Sequence, residues 1–352
     1  MTQFLTCGIV IYDEVDAIKK LLPRLVDEFK GLTIDWIFVL NHEQSEIRQS
    51  IINWLTENSL GHLTCYENPM NNLGFARHII LTQSRHELIY FTDPDVEIPS
   101  GSVRQLVFLA ENHGALKIPQ KIAGYGGLVE HRSTNLFLNQ TFELLKKISR
   151  YFPFAFQVQS HPVMSAVDHL PTCHLLLKKS AAITIGGFSH LQRRRGEDTD
   201  FTHRAYNLNY RFLFLPSAQV LHWQNLSTLE WYIKIFNFGR TQIKVQKTNY
   251  RNGLRPYRLL PLAFLIATFL LISMMNPTLI FYVVATLVAI FTFNSAYLGF
   301  SMVLAAYSIG ELSELVWPFF ESENEEQLQE LNANLTFQFY ESSKNRPLEI
   351  ET

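Results

Sequence analysis

Two carboxylates stand close together in Phe91-Thr-Asp-Pro-Asp95-Val-Glu-Ile-Pro99. They follow an apolar run, Leu88–Thr92, that reads as a buried strand. Asp93 and Asp95 at such a strand end can both point at one hard cation. Carboxylate oxygens suit Mg²⁺ or Mn²⁺, and such ions keep open positions for phosphate oxygens. Pro94 fixes one backbone angle between the two acids. The plain alternative is a solvated turn that caps the next helix near Ser100.

Two later segments add reactive groups. Gly186-Gly-Phe188 is followed by Gly196-Glu197-Asp198, an acidic pair at the start of an expected helix. The positive end of a helix dipole suits carboxylates, so capping alone accounts for their type. A carboxylate there can also take a proton from a hydroxyl. Val220-Leu-His222 ends a strand-like run, and its imidazole can join oxygen ligands around a cation. Arg193-Arg-Arg195 fits either a solvated loop or a grip on phosphate.

The elements that position these residues are periodic. Leu5–Tyr12 is apolar. Asp13–Phe29 carries Leu21, Leu22, Leu25, Val26 and Phe29 at helical spacing. Ile34–Leu40, Leu63–Tyr66 and Leu88–Thr92 read as strands, with helices over Glu46–Leu60 and Leu73–Gln83 between them. This βαβαβ rhythm predicts an α/β fold with a parallel sheet. Ligands of such sheets sit at the carboxyl ends of the strands, where Asp13, Asn41 and Asp93 fall. Further along, Gly124-Tyr-Gly126-Gly127 reads as a flexible turn, and Leu136–Tyr151 as a helix. Leu175–Lys179, Arg211–Pro216 and Ala218–His222 read as strands.

The ordered set of motifs resembles the family 2 glycosyltransferases, and their bacterial rhamnosyltransferase-type members in particular. The resemblance runs from about residue 5 to about residue 245. It rests on Asn72-Leu-Gly74-Phe-Ala76, Asp93-Pro-Asp95-Val-Glu97, Gly186-Gly-Phe188, Gly196-Glu-Asp-Thr-Asp200 and the strand leading to His222. It implies a GT-A fold, Rossmann-like, with a mostly parallel sheet wound by helices. It implies an inverting, metal-dependent transfer of a sugar from a nucleotide-diphosphate donor to a hydroxyl of a glycan or lipid-linked acceptor. On that pattern Asp93, Asp95 and His222 hold Mg²⁺ or Mn²⁺, and Asp198 is the catalytic base with Glu197 beside it. Ile11, Asp13, Asn41, Gly74, Arg77, Asp93 and Arg240 fall on the donor side. The chain differs from the family at Ile11-Tyr-Asp13-Glu14, at Asn41 and at Arg77-His-Ile-Ile80, all in the nucleotide half. A transferase acting on a polyprenyl phosphate, and a membrane-anchored nucleotide-sugar-binding protein without turnover, remain open alternatives.

Composition narrows the partners. The formal net charge is −2 over 352 residues, so no basic field argues for nucleic acid. Cys7, Cys65 and Cys173 lie far apart in apolar runs and read as reduced core residues. The N-terminus lacks a basic segment followed by an apolar run, so no signal peptide is expected. From Leu259 to Ile309, about fifty residues carry no charged side chain. Asn276-Pro277 and Asn294-Ser295 divide them into short runs, against the roughly 17–25 residues that a span needs. Two tight spans, three short ones and a hairpin in one leaflet are all compatible, as is a buried helical hairpin. Lys244, Lys247, Arg251, Arg255 and Arg258 precede the stretch, as positive-inside charge requires. The expected organisation is a catalytic domain over 1–250, a membrane-associated hydrophobic region with transmembrane helices over 251–320, and an acidic tail over 321–352. The expected location is the inner (plasma) membrane with the catalytic domain on the cytoplasmic side.

Overall fold

The computed structural model describes residues 4–12, 14–41, 53–54, 57, 62–68, 72–115, 121–149, 163–189, 196–248, 295–316 and 348–349. The chain packs as two compact units. One comprises residues 1–129, 161–222 and 322–352; the other comprises 130–160 and 223–321.

The first unit is built on a mixed sheet. Its parallel part is formed by β1 (Phe4–Ile11), β2 (Thr33–Leu40), β3 (His62–Glu67) and β4 (Leu88–Thr92), in the spatial order β3-β2-β1-β4. Among the described residues α1 (Val15–Glu28) follows β1 and α2 (Leu73–Gln83) precedes β4, and most of the helix expected over Glu46–Leu60 lies outside those residues. Both faces of the sheet are covered. Cys7, Ile9, Phe38 and Tyr90 pack in one apolar layer, Val39, Ile80, Ile89 and Phe91 in the other. That double burial is why β1, β2 and β4 read as continuous apolar runs, whereas β3 alternates. All three cysteines are buried and unbridged, as their apolar settings predict.

Beyond β4 the sheet turns antiparallel. The later elements are β5 (Val96–Glu97), α3 (Ser102–Glu111), β6 (Lys121–Arg132), α4 (Leu136–Ser149), β7 (Ser165–Val167), β8 (His174–Lys178), α5 (Lys179–Ile185), α6 (Glu197–Asn207) and β9 (Tyr210–Trp223). From β4 the order continues β8-β6-β9-β5, and β7 also pairs with β9. On the opposite edge a two-residue strand, β10 (Leu348–Glu349), pairs with β3.

The structure departs from the sequence expectation at two places. Gly124, Gly126 and Gly127 lie inside strand β6 and form no flexible turn. A Cβ at Gly127 would stand 1.5 Å from the Ala218 carbonyl oxygen, and one at Gly126 2.6 Å from that of His174. Glycine is there because the neighbouring backbones approach too closely for a side chain. Second, Arg211–Pro216 and Ala218–His222 are one strand, β9. Pro216 falls between the segment paired with β7 (Phe212–Phe214) and the segment paired with β5 (Leu221–His222). Neither pairing needs the N–H that proline lacks.

A buried polar network ties β4, β8, β9 and α3 together. The Ser102 hydroxyl donates to the Gln219 carbonyl at 2.7 Å, which leaves its oxygen free to accept from His174 Nε2 at 3.5 Å. His174 Nδ1 then accepts from the Tyr90 hydroxyl at 2.9 Å. The N-terminus of α3 is capped from outside its own sequence. Gly101 supplies the left-handed turn (φ 83°) but no side chain, and the buried Glu28 of α1 accepts from the amides of Gly101 and Val103. A carboxylate against a helix N-terminus satisfies otherwise orphaned amides and complements the dipole.

In the second unit, α7 (Thr228–Thr248) and α8 (Ser295–Val316) pack against each other at two glycines. A Cβ at Gly239 would stand 2.0 Å from the Tyr307 carbonyl oxygen, and one at Gly310 2.0 Å from that of Phe236. Small residues let the two backbones approach closely. Leu138, Phe142, Trp231, Ile235 and Val303 form an apolar cluster from α4, α7 and α8. Among the described residues no helix is long and apolar enough to cross a membrane. The runs Leu259–Met275 and Thr278–Phe293 lie outside the described residues, as does most of the expected acidic tail.

Candidate active site

Asp93, Asp95 and His222 come together at the carboxyl end of β4. Each offers one ligand atom, and these atoms all lie within 4.8 Å of one another. Sheet register makes the meeting possible. The chain leaves β4, turns with the Val96 amide donating to the Asp93 carbonyl, and enters β5. In β5, Val96 stands opposite His222 of β9. His222 Nε2 lies 3.1 Å from the Asp95 carboxylate. The side chains are 27% (Asp93), 40% (Asp95) and 13% (His222) exposed, so the group is reachable from solvent. Two carboxylates and an imidazole form a donor set that fits Mg²⁺ or Mn²⁺, the nitrogen favouring Mn²⁺.

The acidic pair occupies the first turn of α6. Gly196 caps the start of the helix at φ 89°, a conformation that other residues rarely adopt. Asp198 follows one residue into the helix and is nearly buried. Its Oδ1 accepts from the Thr199 amide at 2.6 Å and from the Thr199 hydroxyl at 3.3 Å. Glu197 is buried and pairs through Oε1 with Arg77 Nη1, while Oε2 has no hydrogen-bond partner among the described residues. Arg77, on α2, also donates from Nη2 to Asp93 Oδ1 at 2.9 Å.

The Gly186-Gly187-Phe188 motif supports this helix. Gly186 (φ 94°) and Gly187 (φ 67°) close the end of α5, their amides donating to Ile183 and Ala182. Arg204 of α6 donates to the carbonyls of Ile185 and Gly187 and pairs with Asp200. Phe188 stacks on Phe201 at 4.7 Å and meets Phe91 edge-on at 5.4 Å. The motif thus packs β4, which leads to Asp93, against α6, which carries Asp198. Arg204 stands in no motif of the sequence, and its one signal there is the four-residue spacing from Asp200.

Of the residues expected on the donor side, Ile11 and Asn41 fall at the ends of β1 and β2, and Gly74 and Arg77 on α2. Ile11 is buried, and its carbonyl accepts from the Asn41 amide at 2.8 Å. Asn41 itself is 1% exposed, and its Oδ1 accepts from Asn68 Nδ2 at 2.6 Å. That Asn68 nitrogen also donates to the Asn72 carbonyl, which fixes both amide orientations. Asn72 caps α2 by accepting from the Phe75 amide at 2.9 Å. Gly74 is held by space, since a Cβ there would stand 2.0 Å from the Ser189 carbonyl oxygen. Tyr12, one residue past β1, lies among these groups. Burial pushes its phenol up from the usual range, offset by Asn41 and Arg77. Asn68 joins the candidate site from the structure alone, and the structure gives Asn72 and Tyr12, which the quoted motifs already contain, their partners there. Arg240 lies on α7, in the second unit. Asp13 and Arg193–Arg195 lie outside the described residues.

No protein-family model matches the chain, and no curated protein matches it in sequence. Among solved structures the fold is similar to that of the mannosyltransferase PcManGT from Pyrobaculum calidifontis, determined in complex with GDP-Man and Mn²⁺. The TM-score is 0.63 at 13% sequence identity, over 89% of this chain and 88% of that one. At that identity the likeness establishes a shared fold.

Proposed function

We propose that this chain is a metal-dependent, inverting glycosyltransferase that uses a nucleotide-diphosphate sugar as donor. The observation that carries this reading is the Asp93, Asp95 and His222 group at the end of β4 in this fold. A structural neighbour holding GDP-Man and Mn²⁺ supports the same class of donor and cation.

Asp93, Asp95 and His222 would hold Mg²⁺ or Mn²⁺. When bound, the cation supplies positive charge against the diphosphate that leaves. Asp198 takes the proton of the acceptor hydroxyl as its oxygen attacks the anomeric carbon. The bond from that carbon to the phosphate oxygen breaks, and its electron pair leaves with the nucleoside diphosphate. One attack from the face opposite the leaving group inverts the anomeric configuration. Thr199 holds Asp198 through two hydrogen bonds on one oxygen and leaves its Oδ2 for the proton. The exposed sides of Asp93 and Asp95 admit the donor.

The uncharged stretch from Leu259 to Ile309 and the basic residues before it support a membrane-associated enzyme with its catalytic residues on the cytoplasmic side. On this reading a lipid-linked or growing glycan is the acceptor that fits that location, and cell-surface polysaccharide synthesis is the role we propose.

The test is a screen of nucleotide sugars for thermal stabilisation with and without Mn²⁺, followed by turnover of Asp198→Asn. That variant keeps shape but cannot accept the proton. Turnover is expected to fall roughly 10²–10⁴-fold while donor affinity stays within a few-fold. Activity near wild type would remove the base role, and a product of retained configuration by NMR would remove direct displacement.

A further inference from the structure

We infer that Arg77 is a positioning residue, tying the cation-ligating loop to the helix that carries the proton acceptor. The inference rests on the metal-dependent reading above and deepens it. Arg77 is 4% exposed, and both terminal nitrogens of its guanidinium are engaged by carboxylates of the chain. Nη2 holds Asp93, one of the three ligating side chains, at 2.9 Å. Nη1 holds Glu197, which immediately precedes Asp198 in the first turn of α6. This makes Arg77 a link inside the protein rather than a contact to the nucleotide.

Packing fixes the length of that link. Gly74, one turn before Arg77 on α2, brings this helix against the start of α6. A Cβ at Gly74 would stand 3.1 Å from the Glu197 Cβ. Arg77 therefore reaches Glu197 from a helix that has no room to shift. A planar guanidinium can serve two carboxylates in fixed directions, whereas an ammonium is a point charge on a flexible stem. All of the partners are at least partly buried, so their pairing is little screened by solvent. A cation that fixes Asp93 also fixes Arg77, and through it Glu197 and the first turn of α6. Occupation of the metal site and the direction of Asp198 are thereby coupled.

The test uses the full chain, Mn²⁺ alone, and two readouts. Electron paramagnetic resonance gives Mn²⁺ affinity, and hydrogen exchange follows the amides of residues 199–201. In wild type, Mn²⁺ is expected to slow exchange of these amides about tenfold, a typical coupling between sites. Arg77→Lys is expected to bind Mn²⁺ within about threefold of wild type, through Asp95 and His222, yet to lose most of the slowing. Glu197→Gln, nearly isosteric, is expected to do the same, and it carries the test alone if Arg77→Lys does not fold. With an active donor in hand, both variants should lose turnover while donor affinity holds. Undiminished slowing in either folded variant overturns the inference. So does weakened donor binding with turnover intact, which would make Arg77 an ordinary donor contact. If wild type binds no Mn²⁺, the metal reading itself falls and this inference with it.

Discussion

His222 Nε2 lies 3.1 Å from the Asp95 carboxylate although 127 positions separate the two residues. The register Val96↔His222 between a two-residue strand and the end of a long one creates that proximity. If the pair serves a cation, His222→Ala should weaken Mn²⁺ binding about tenfold or more, with a smaller effect on Mg²⁺, because the lost nitrogen matters less to the harder ion. Competition titrations of the two ions on the variant measure this. Equal affinities in variant and wild type would leave His222 a purely structural partner of Asp95.

Glu28 tests the scaffold beneath the loop. It accepts from the amides of Gly101 and Val103, and the side chain of Arg104 donates to its carbonyl at 2.9 Å. Glu28→Ala removes the cap of α3 and leaves buried amides unpaired. A loss of roughly 1–3 kcal/mol is expected. Urea denaturation provides the measurement, and a change below about 0.5 kcal/mol would show that water replaces the carboxylate without cost.

His174 makes a prediction about pH. Burial pushes its imidazole down to about 4. The native state therefore holds it neutral, while an unfolded chain would protonate it near 6.5. The contribution is fully present above about pH 6.5 and is lost as pH falls through about 4. The shift corresponds to about 3 kcal/mol. Denaturant midpoints of wild type should fall over this window more steeply than those of His174→Gln. Parallel curves would mean that other groups govern the acid limb.

Much of this architecture is legible in the residues themselves. Strands β1, β2 and β4 are largely continuous apolar runs, because both faces of the sheet are buried there, while β3 alternates; Asp93, Asp95, Asp198 and His222 each stand at or near an element end. What escapes a linear reading depends on neighbours distant in the chain. Pro216 looks like a break but lies between two paired segments of one strand. Gly124, Gly126 and Gly127 look like a turn but mark close backbone approach. Glu28 has the sequence of a solvated helix acid, and only the fold places the start of α3 above it. The two ion pairs of Arg77 likewise join segments that no local pattern connects.

The most direct test of the account is sugar transfer from a panel of GDP-, UDP- and dTDP-sugars to membrane acceptors, with Mn²⁺ and with excess chelator. The account predicts that chelation lowers turnover by about 10²-fold or more, that Mn²⁺ restores it, and that Asp95→Ala stays inactive in both conditions. Undiminished transfer by wild type in excess chelator would contradict it, because Asp93, Asp95 and His222 would then hold no cation that the reaction needs.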